Sequence, residues 1–156
     1  MSQGITIRRG TTDDLDQVMA LARDAETAPH WQAADYHAIF HSHRLLLVAE
    51  RVSQIIGFVV AHDIAGEWEL ENIAVAPSRR RSGIGKVLVE ALIAEASKDA
   101  TKSILLEVRE SNTAAKLLYE RCGFHQYGRR RGYYSNPSED GLLYRFLCTP
   151  ATLENC

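Results

Sequence analysis

Ile84, Val87, Leu88, Ala91 and Leu92 recur at i, i+3, i+4, i+7 and i+8, which lays a single apolar stripe along a helix. The spacing therefore predicts an amphipathic helix from about Ser82 to Lys98. Leu15, Val18, Met19 and Ala22 follow the same period behind Thr11-Thr12-Asp13-Asp14, a run that supplies caps and acidic residues for a helix N-terminus. A second helical stretch is expected around Ala34 to His41, after a break at Ala28-Pro29-His30 where proline disfavours helical geometry in the residue before it. Ala115, Leu118, Tyr119 and Cys122 make one more helical face, closed by Gly123, a good C-terminal stop.

Elsewhere the pattern shortens to β-branched and apolar runs. Ile5 and Ile7 mark a first strand, and Leu45 to Val48, Ile55 to Val60 and Trp68 to Val75 are separated by polar or glycine-containing turns, as in an antiparallel meander. Ile104 to Val108 reads as a short buried strand, and Phe124 to Tyr134 and Leu142 to Leu147 close the chain as two more. The order βααβββαβαββ predicts an α/β (α+β) layer structure with a mixed, mostly antiparallel sheet of about seven strands flanked by about four helices. A strand–helix–strand crossover sits in its middle. With no repeat or linker, residues 1–150 are expected to form one domain and residues 151–156 a short C-terminal tail.

At 156 residues, 46% hydrophobic and 24% charged, the chain can bury one good core and is too short to expect two. The net charge of −2 gives no bulk attraction to nucleic acid or an anionic membrane. Anion binding would have to come from local clusters, Arg79 to Arg81 or Arg129 to Arg131. Cys122, Cys148 and Cys156 lack CxxC or Cys/His spacing, which argues against a disulfide framework and a structural zinc. The longest apolar run, Ile55 to Ala61, is far below the roughly 20 residues that span a bilayer. With no signal region at the start of the chain, a cytoplasmic location without membrane attachment is expected.

Three places hold candidate chemistry. Arg79-Arg80-Arg81-Ser82-Gly83-Ile84-Gly85-Lys86 falls where a strand ends and the strongest helix begins, so unpaired backbone N–H groups, the helix dipole and arginines converge on a spot suited to pyrophosphate. The residues alone fit an unliganded basic turn equally well, and neither GxxxxGK[ST] nor GxGxxG spacing is present. Glu107 places a carboxylate within an apolar strand, on the side shared by Leu105 and Arg109. Burial there would raise its pKa towards that of a useful base, whereas pairing with an arginine would make it an ordinary strand glutamate. Tyr119, on the inward face of the next helix, reads on its own as a core tyrosine with a satisfied hydroxyl.

Arg80-x-x-Gly83-x-Gly85 preceded by Asn72-Ile73-Ala74-Val75-Ala76-Pro77 resembles the acetyl-CoA motif of the GNAT superfamily of N-acetyltransferases. The resemblance covers nearly the whole chain and implies the GNAT fold. It implies that Arg80, Arg81, Ser82, Gly83, Ile84, Gly85 and Lys86 cradle the phosphates of acetyl-CoA, and that Ile73, Ala74 and Val75 pair with its pantetheine arm. Acetyl-CoA is then a co-substrate and no metal is implied. The stretch from Leu106-Glu107-Val108 through Asn112 and Tyr119 to Gly123-Phe124 resembles the RimI-like branch, which acetylates the N-terminal alanine of a small-subunit ribosomal protein. That likeness implies Glu107 as proton acceptor, Tyr119 as proton donor to the departing thiolate and Asn112 as a cofactor contact. Other branches place the base on the strand carrying Glu69 and Glu71, and RimI-type sequences usually have an apolar residue at the position of Glu71, so Glu71 stays in contention as the base.

Arg130-Arg131-Gly132-Tyr133-Tyr134 followed by Glu139-Asp140 resembles a stretch of the same branch whose paired tyrosines close over the acceptor peptide. Trp31, in the Pro29-His30-Trp31 loop, lies where relatives floor the peptide site with an aromatic-proline pair, although Ala28 precedes the proline here. An α-amine has a pKa of about 7.7–8.0 against about 10.4 for lysine, so freeing a lysine amine at neutral pH costs roughly 3–4 kcal/mol more. The expected partner is an acceptor protein N-terminus, with no direct nucleic acid contact and a monomer or weak dimer in solution. The alternatives are a paralogue acetylating a small-molecule amine or lysine, and a non-catalytic acetyl-CoA-binding or RNA-associated module.

Overall fold

The structure, a computed structural model, describes residues 4–25 and 29–148. The expected tail at 151–156, Ala28 and Cys156 lie outside the described residues. The chain runs β1 (Thr6–Arg9), α1 (Leu15–Arg23), α2 (Ala33–Ala38), β2 (Arg44–Arg51), β3 (Gln54–Ile64), β4 (Glu67–Val75), α3 (Ile84–Lys98), β5 (Ser103–Arg109), α4 (Thr113–Arg121), β6 (His125–Tyr134) and β7 (Glu139–Leu147). This is the order the periodicity predicts. The strands form one seven-stranded sheet in the spatial order β1-β2-β3-β4-β5-β7-β6. Every neighbouring pair is antiparallel except β4 with β5, the pair bridged by α3, because only a long crossover can join parallel neighbours.

Strand periodicity divides the core in two. Leu45 and Leu47 of β2, Val59 of β3 and Ile104, Leu106 and Val108 of β5 pack with Ile84, Leu88, Val89, Leu92 and Ala96 of α3 and with Tyr119 of α4. Their neighbours in sequence, Leu46, Val48, Phe58 and Val60, turn to the other face and meet Leu15, Val18 and Leu21 of α1 and Tyr36 of α2. Each fully buried aliphatic or aromatic side chain contributes roughly 1.5–3 kcal/mol before the entropy of ordering it.

Two predicted helices have different limits from those the apolar spacing suggests. α3 begins at Ile84 rather than Ser82, because Gly83 caps it in the left-handed region at φ 84°. α2 stops at Ala38 and tightens into a 3-10 turn over Ile39–His41. At the start of α1, Asp14 accepts the Thr11 N–H at 2.8 Å and both terminal nitrogens of Arg8 at 2.8 and 2.9 Å. Arg8 also reaches Glu50 on β2 at 3.0 Å, so one guanidinium ties β1, α1 and β2 together. No helix among the described residues is long and apolar enough to cross a membrane.

Candidate active site

Glu67↔Ser103, Trp68↔Ile104 and Glu69↔Leu105 are the only rungs between β4 and β5. Beyond Glu69 the strands part. β4 stays paired with β3 as far as Val75↔Gly57, and β5 stays paired with β7 as far as Arg109↔Gly141. Each therefore presents one unpaired main-chain edge to a wedge-shaped cleft, and backbone groups so placed seek a partner. Ile73, Ala74 and Val75 lie on the open edge of β4.

A β-bulge lies at the mouth of this cleft. Val60 pairs with Asn72 and Ala61 with Leu70, which leaves Glu71 as the additional residue of β4. The bulge reverses the facing of the strand: Trp68 and Leu70 pack with α3, whereas Ala74 packs with α1 and α2. Asn72, 1% exposed, donates from Nδ2 to the Tyr36 hydroxyl at 3.2 Å. The Tyr36 ring lies 5.2 Å from that of Trp31, so the aromatic floor predicted at Trp31 rests on α2 and, through it, on β4.

The arginine-rich turn follows β4 directly. Arg81 at φ 64° and Gly83 at φ 84° are both left-handed, and nothing lies within 4 Å of a Cβ built on Gly83, so its backbone and not its space calls for glycine. The first helical bond is Val87 N–H to Gly83 C=O at 3.1 Å, so the N–H groups of Gly83, Ile84, Gly85 and Lys86 stand free at the positive end of the helix dipole. Gly85 has a different reason: a Cβ there would meet Leu118 Cδ2 at 3.3 Å, so its smallness lets α4 approach. Ser82 Oγ donates to the Arg79 carbonyl and Arg80 reaches the Asp24 carbonyl at 3.4 Å, fixing the turn against the end of α1. Arg81, Ser82, Gly83 and Lys86 are exposed. The set fits a pyrophosphate group: free amides, an open approach and arginines at its flank.

Glu107 and Tyr119 lie on opposite faces of β5, Tyr119 on the side of Leu106 and Val108. Tyr119 sits in the α3 side of the core with its ring 5.7 Å from Phe124. Burial, then proximity to Cys122 and Tyr134, pushes its phenol far above the ordinary range, so it is protonated at physiological pH. Glu107 faces the other way with Leu105 and Arg109, and its Oε1 lies 3.2 Å from Arg130 Nη2. Asn112 caps α4, accepting the Ala115 N–H at 3.2 Å, so its carbonyl oxygen is engaged within the chain. Burial also raises the Cys122 and Cys148 thiols, which makes them poor nucleophiles.

The rival carboxylate is tied down. Glu71 accepts Arg44 Nε at 2.7 Å and Nη2 at 3.2 Å, a bidentate pair that raises the Arg44 pKa further, and His62 Nδ1 lies 3.7 Å from its second oxygen. Glu69, on the last rung before the strands part, has its pKa raised by desolvation and then by repulsion from Glu71 and Glu107. Sequence reasoning named Arg130 only within its arginine cluster and the arginine–tyrosine stretch and missed its contact with Glu107; it missed Arg44 and His62 altogether, because their pairing depends on strand register and they belong to no motif. Cross-strand positions Arg44↔His62 and His62↔Glu69 would have linked them had the register been known.

Tyr133 and Tyr134 stack edge-on at 5.0 Å beyond Glu107. The Arg109 guanidinium lies 4.3 Å from the Tyr134 ring centre and 3.4 Å from Glu139. Asp140 accepts the Gly132 N–H at 2.9 Å and Arg129 at 2.7 Å, so the acidic pair after the tyrosines braces their loop. An open hollow of about 380 Å³ lined by Glu110, Lys116, Glu120, Arg129 and Tyr144 among others shares no residue with the candidate set. Two polar pairs cross it, Tyr144 with Glu120 and Arg129 with Glu110. No group of three or more metal-ligating side chains occurs among the described residues.

The "[Ribosomal protein bS18]-alanine N-acetyltransferase" of Escherichia coli strain K12 is 34% identical over 136 residues, 87% of this chain and 90% of that protein. The enzyme of the same name from Haemophilus influenzae is 41% identical over 86 residues, 55% of this chain and 58% of its own length. The crystal structure of the ribosomal-protein-S18-alanine N-acetyltransferase from Escherichia coli superimposes with a TM-score of 0.86 at 31% identity, covering 93% of this chain and 94% of that one. The profile of the Acetyltransferase (GNAT) family matches residues 15–124; with the parted strands and the free amides of the turn, that match makes the chain a GNAT acetyltransferase.

Proposed function

We propose that this enzyme transfers acetyl from acetyl-CoA to the N-terminal α-amine of a protein, with an alanine-initiated small-subunit ribosomal protein of the bS18 type as acceptor. The observation that supports this most directly is the placement of Glu107 and Tyr119 on opposite faces of the one gap in the sheet, with the amide-rich turn at the head of α3. Bound acetyl-CoA supplies an activated acyl carbon. The amides of Gly83 to Lys86, with Arg80 and Arg81, hold its phosphates; the open edge of Ile73 to Val75 aligns its arm and polarises the carbonyl. Asn112, whose carbonyl oxygen caps α4, keeps its amide nitrogen for a contact with the coenzyme.

Glu107 removes a proton from the acceptor's ammonium so that the amine attacks the thioester. Tyr119 delivers a proton to the sulfur as the C–S bond breaks. The second proton that the nitrogen sheds as the amide forms restores the Tyr119 hydroxyl, and Glu107 releases the first to solvent, so the reaction balances without a metal or an acyl-enzyme. Trp31 forms the floor of the acceptor path, and Tyr133 and Tyr134 form its cover. An α-amine suits Glu107 better than lysine because its ammonium gives up a proton at a cost roughly 3–4 kcal/mol lower at neutral pH. The free thiols of Cys122 and Cys148 suit the reducing cytoplasm.

The test is acetylation of peptides beginning with different residues, read by mass spectrometry and free-thiol release. Glu107→Gln is expected to lower kcat by roughly 10²–10⁴-fold with acetyl-CoA affinity unchanged, and Tyr119→Phe to slow the same step. Acetylation of spermine or an aminoglycoside but of no peptide would defeat the acceptor assignment. An equal loss in Glu71→Gln would move the base to β4.

A further inference from the structure

We propose that Arg130 is a resident stand-in for the acceptor's ammonium: it holds Glu107 until an amine arrives and then yields its place on the carboxylate, its guanidinium staying on the Tyr133 ring it already faces. The inference rests on Glu107 as the proton acceptor. It needs only an ammonium, whatever molecule carries it.

The two glutamate–arginine pairs at the cleft are built differently. Arg44 grips Glu71 with two hydrogen bonds, and both side chains are largely covered, at 25% and 18% exposure. Arg130 touches one oxygen of Glu107 at 3.2 Å with its own side chain 55% exposed, and it makes no side-chain hydrogen bond among the described residues. The first pair is a fastening; the second is a loose contact in high dielectric.

The backbone beneath Arg130 allows movement. β6 pairs with β7 at Arg130↔Gly141 and next at Tyr134↔Glu139, so Arg131, Gly132 and Tyr133 leave the ladder, turning through Gly132 at φ 60°. Asp140 anchors that loop by its main chain through the Gly132 N–H, which leaves the side chains on either side free to reorient. The guanidinium has a second hold that does not involve Glu107. The Arg130 Cζ lies 5.3 Å from the centre of the Tyr133 ring, itself 51% exposed, within the range of cation–π attraction.

Other cations near Glu107 are committed. Arg109, on the same strand face, is held by Glu139 and Tyr134; Arg44 by Glu71; Arg129 by Glu110 and Asp140. Glu69 and Glu71 add negative charge on the β4 side, with His62 beyond them. Without Arg130 or a replacement, Glu107 would stand near Glu69 with no cation in contact among the described residues, whereas Glu71 keeps Arg44. A general base must lie within hydrogen-bond reach of the proton it takes, so an ammonium docking on Glu107 competes with Arg130 for the same oxygen. The exchange of one cation for another keeps the local charge constant.

The experiment compares wild type, Arg130→Gln and Arg130→Lys at pH 8, with an alanine-initiated peptide and with spermine as acceptors and acetyl-CoA saturating. An exposed ion pair is worth about 0.2–1 kcal/mol. Arg130→Gln should therefore lower the acceptor KM by up to roughly fivefold without lowering kcat, while Arg130→Lys keeps the wild-type KM. Acetyl-CoA affinity and the thermal midpoint, measured alongside, should stay unchanged. An acceptor KM that is unchanged or raised in Arg130→Gln would overturn the proposal, a raised one marking Arg130 as a direct acceptor contact. Failure of wild type on the peptide sinks the N-terminal reading alone, and the KM comparison then stands on spermine.

Discussion

Gly83→Ala isolates the role of the turn before α3. The new methyl meets nothing within 4 Å, so the substitution adds no clash. It adds only the cost of holding a Cβ-bearing residue at φ 84°, about 1–2 kcal/mol. That cost can fall in two places. If the turn keeps its shape, the fold carries the strain, and the thermal midpoint drops by roughly 2–8 °C at about 2–4 °C per kcal/mol for a chain of this size. If the turn relaxes without ligand, acetyl-CoA must reimpose the shape and its Kd rises about 5–30-fold. Isothermal calorimetry with acetyl-CoA and a thermal melt on the same preparation give the two parts, which should sum to about 1–2 kcal/mol. A variant with unchanged Kd and unchanged midpoint would refute the claim that Gly83 is required for its backbone and that its amide holds the coenzyme.

Glu71→Gln breaks the bidentate pair with Arg44; at roughly one-fifth exposure of both side chains the expected loss is about 1–2 kcal/mol in thermal stability, with kcat within a few-fold of wild type. The same melt and a steady-state assay check both halves. Asp14 is held below the usual carboxylate range, first by its hydrogen bonds from Arg8. A depressed native pKa adds stability above the unfolded value of about 3.9 and loses it as pH falls through the native value. The deficit of Asp14→Asn against wild type should be constant from pH 7 to pH 5 and shrink at more acid pH. Denaturant melts across that range would contradict this if the deficit did not change.

Element types were legible because the burial pattern of each is local. The stripe from Ile84 to Leu92 needs a neighbour only in the sense that some apolar surface must cover it, and the alternation Leu45 to Val48 likewise demands two covered faces. Pairing was legible only for the meander of β2 to β4 and the crossover that follows it. Nothing in the composition of Leu142 to Leu147 says that β7 inserts between β5 and β6. The bulge at Glu71 is invisible to periodicity because β4 still alternates in burial through it, although the faces have exchanged. The limits of α3 failed by two residues for a related reason: Ser82 fits the helical period, yet the left-handed Gly83 interrupts the backbone first. The GNAT motif supplied the acetyl-CoA turn, Glu107 and Tyr119, because they are fixed in sequence relative to glycines and strand ends. Arg44, His62 and Arg130 act across strands, so only register brings them in.

Three rungs between β4 and β5 are all that stitch the sheet across its middle. The enzyme is therefore two leaves on a short spine, one leaf of β1 to β4 bearing the amide-rich turn and the other of β5, β7 and β6 bearing Glu107 and the tyrosines. A coenzyme lying along both free edges would act as mortar, supplying the stitches the polypeptide omits. Saturating acetyl-CoA should then stiffen the molecule mostly at this seam, with slowed amide exchange along Ile73 to Val75 and Leu106 to Arg109 and little change in β1 or β2. The same economy lets the two leaves vary separately, since a change of acceptor chemistry on β6 need not disturb the turn before α3.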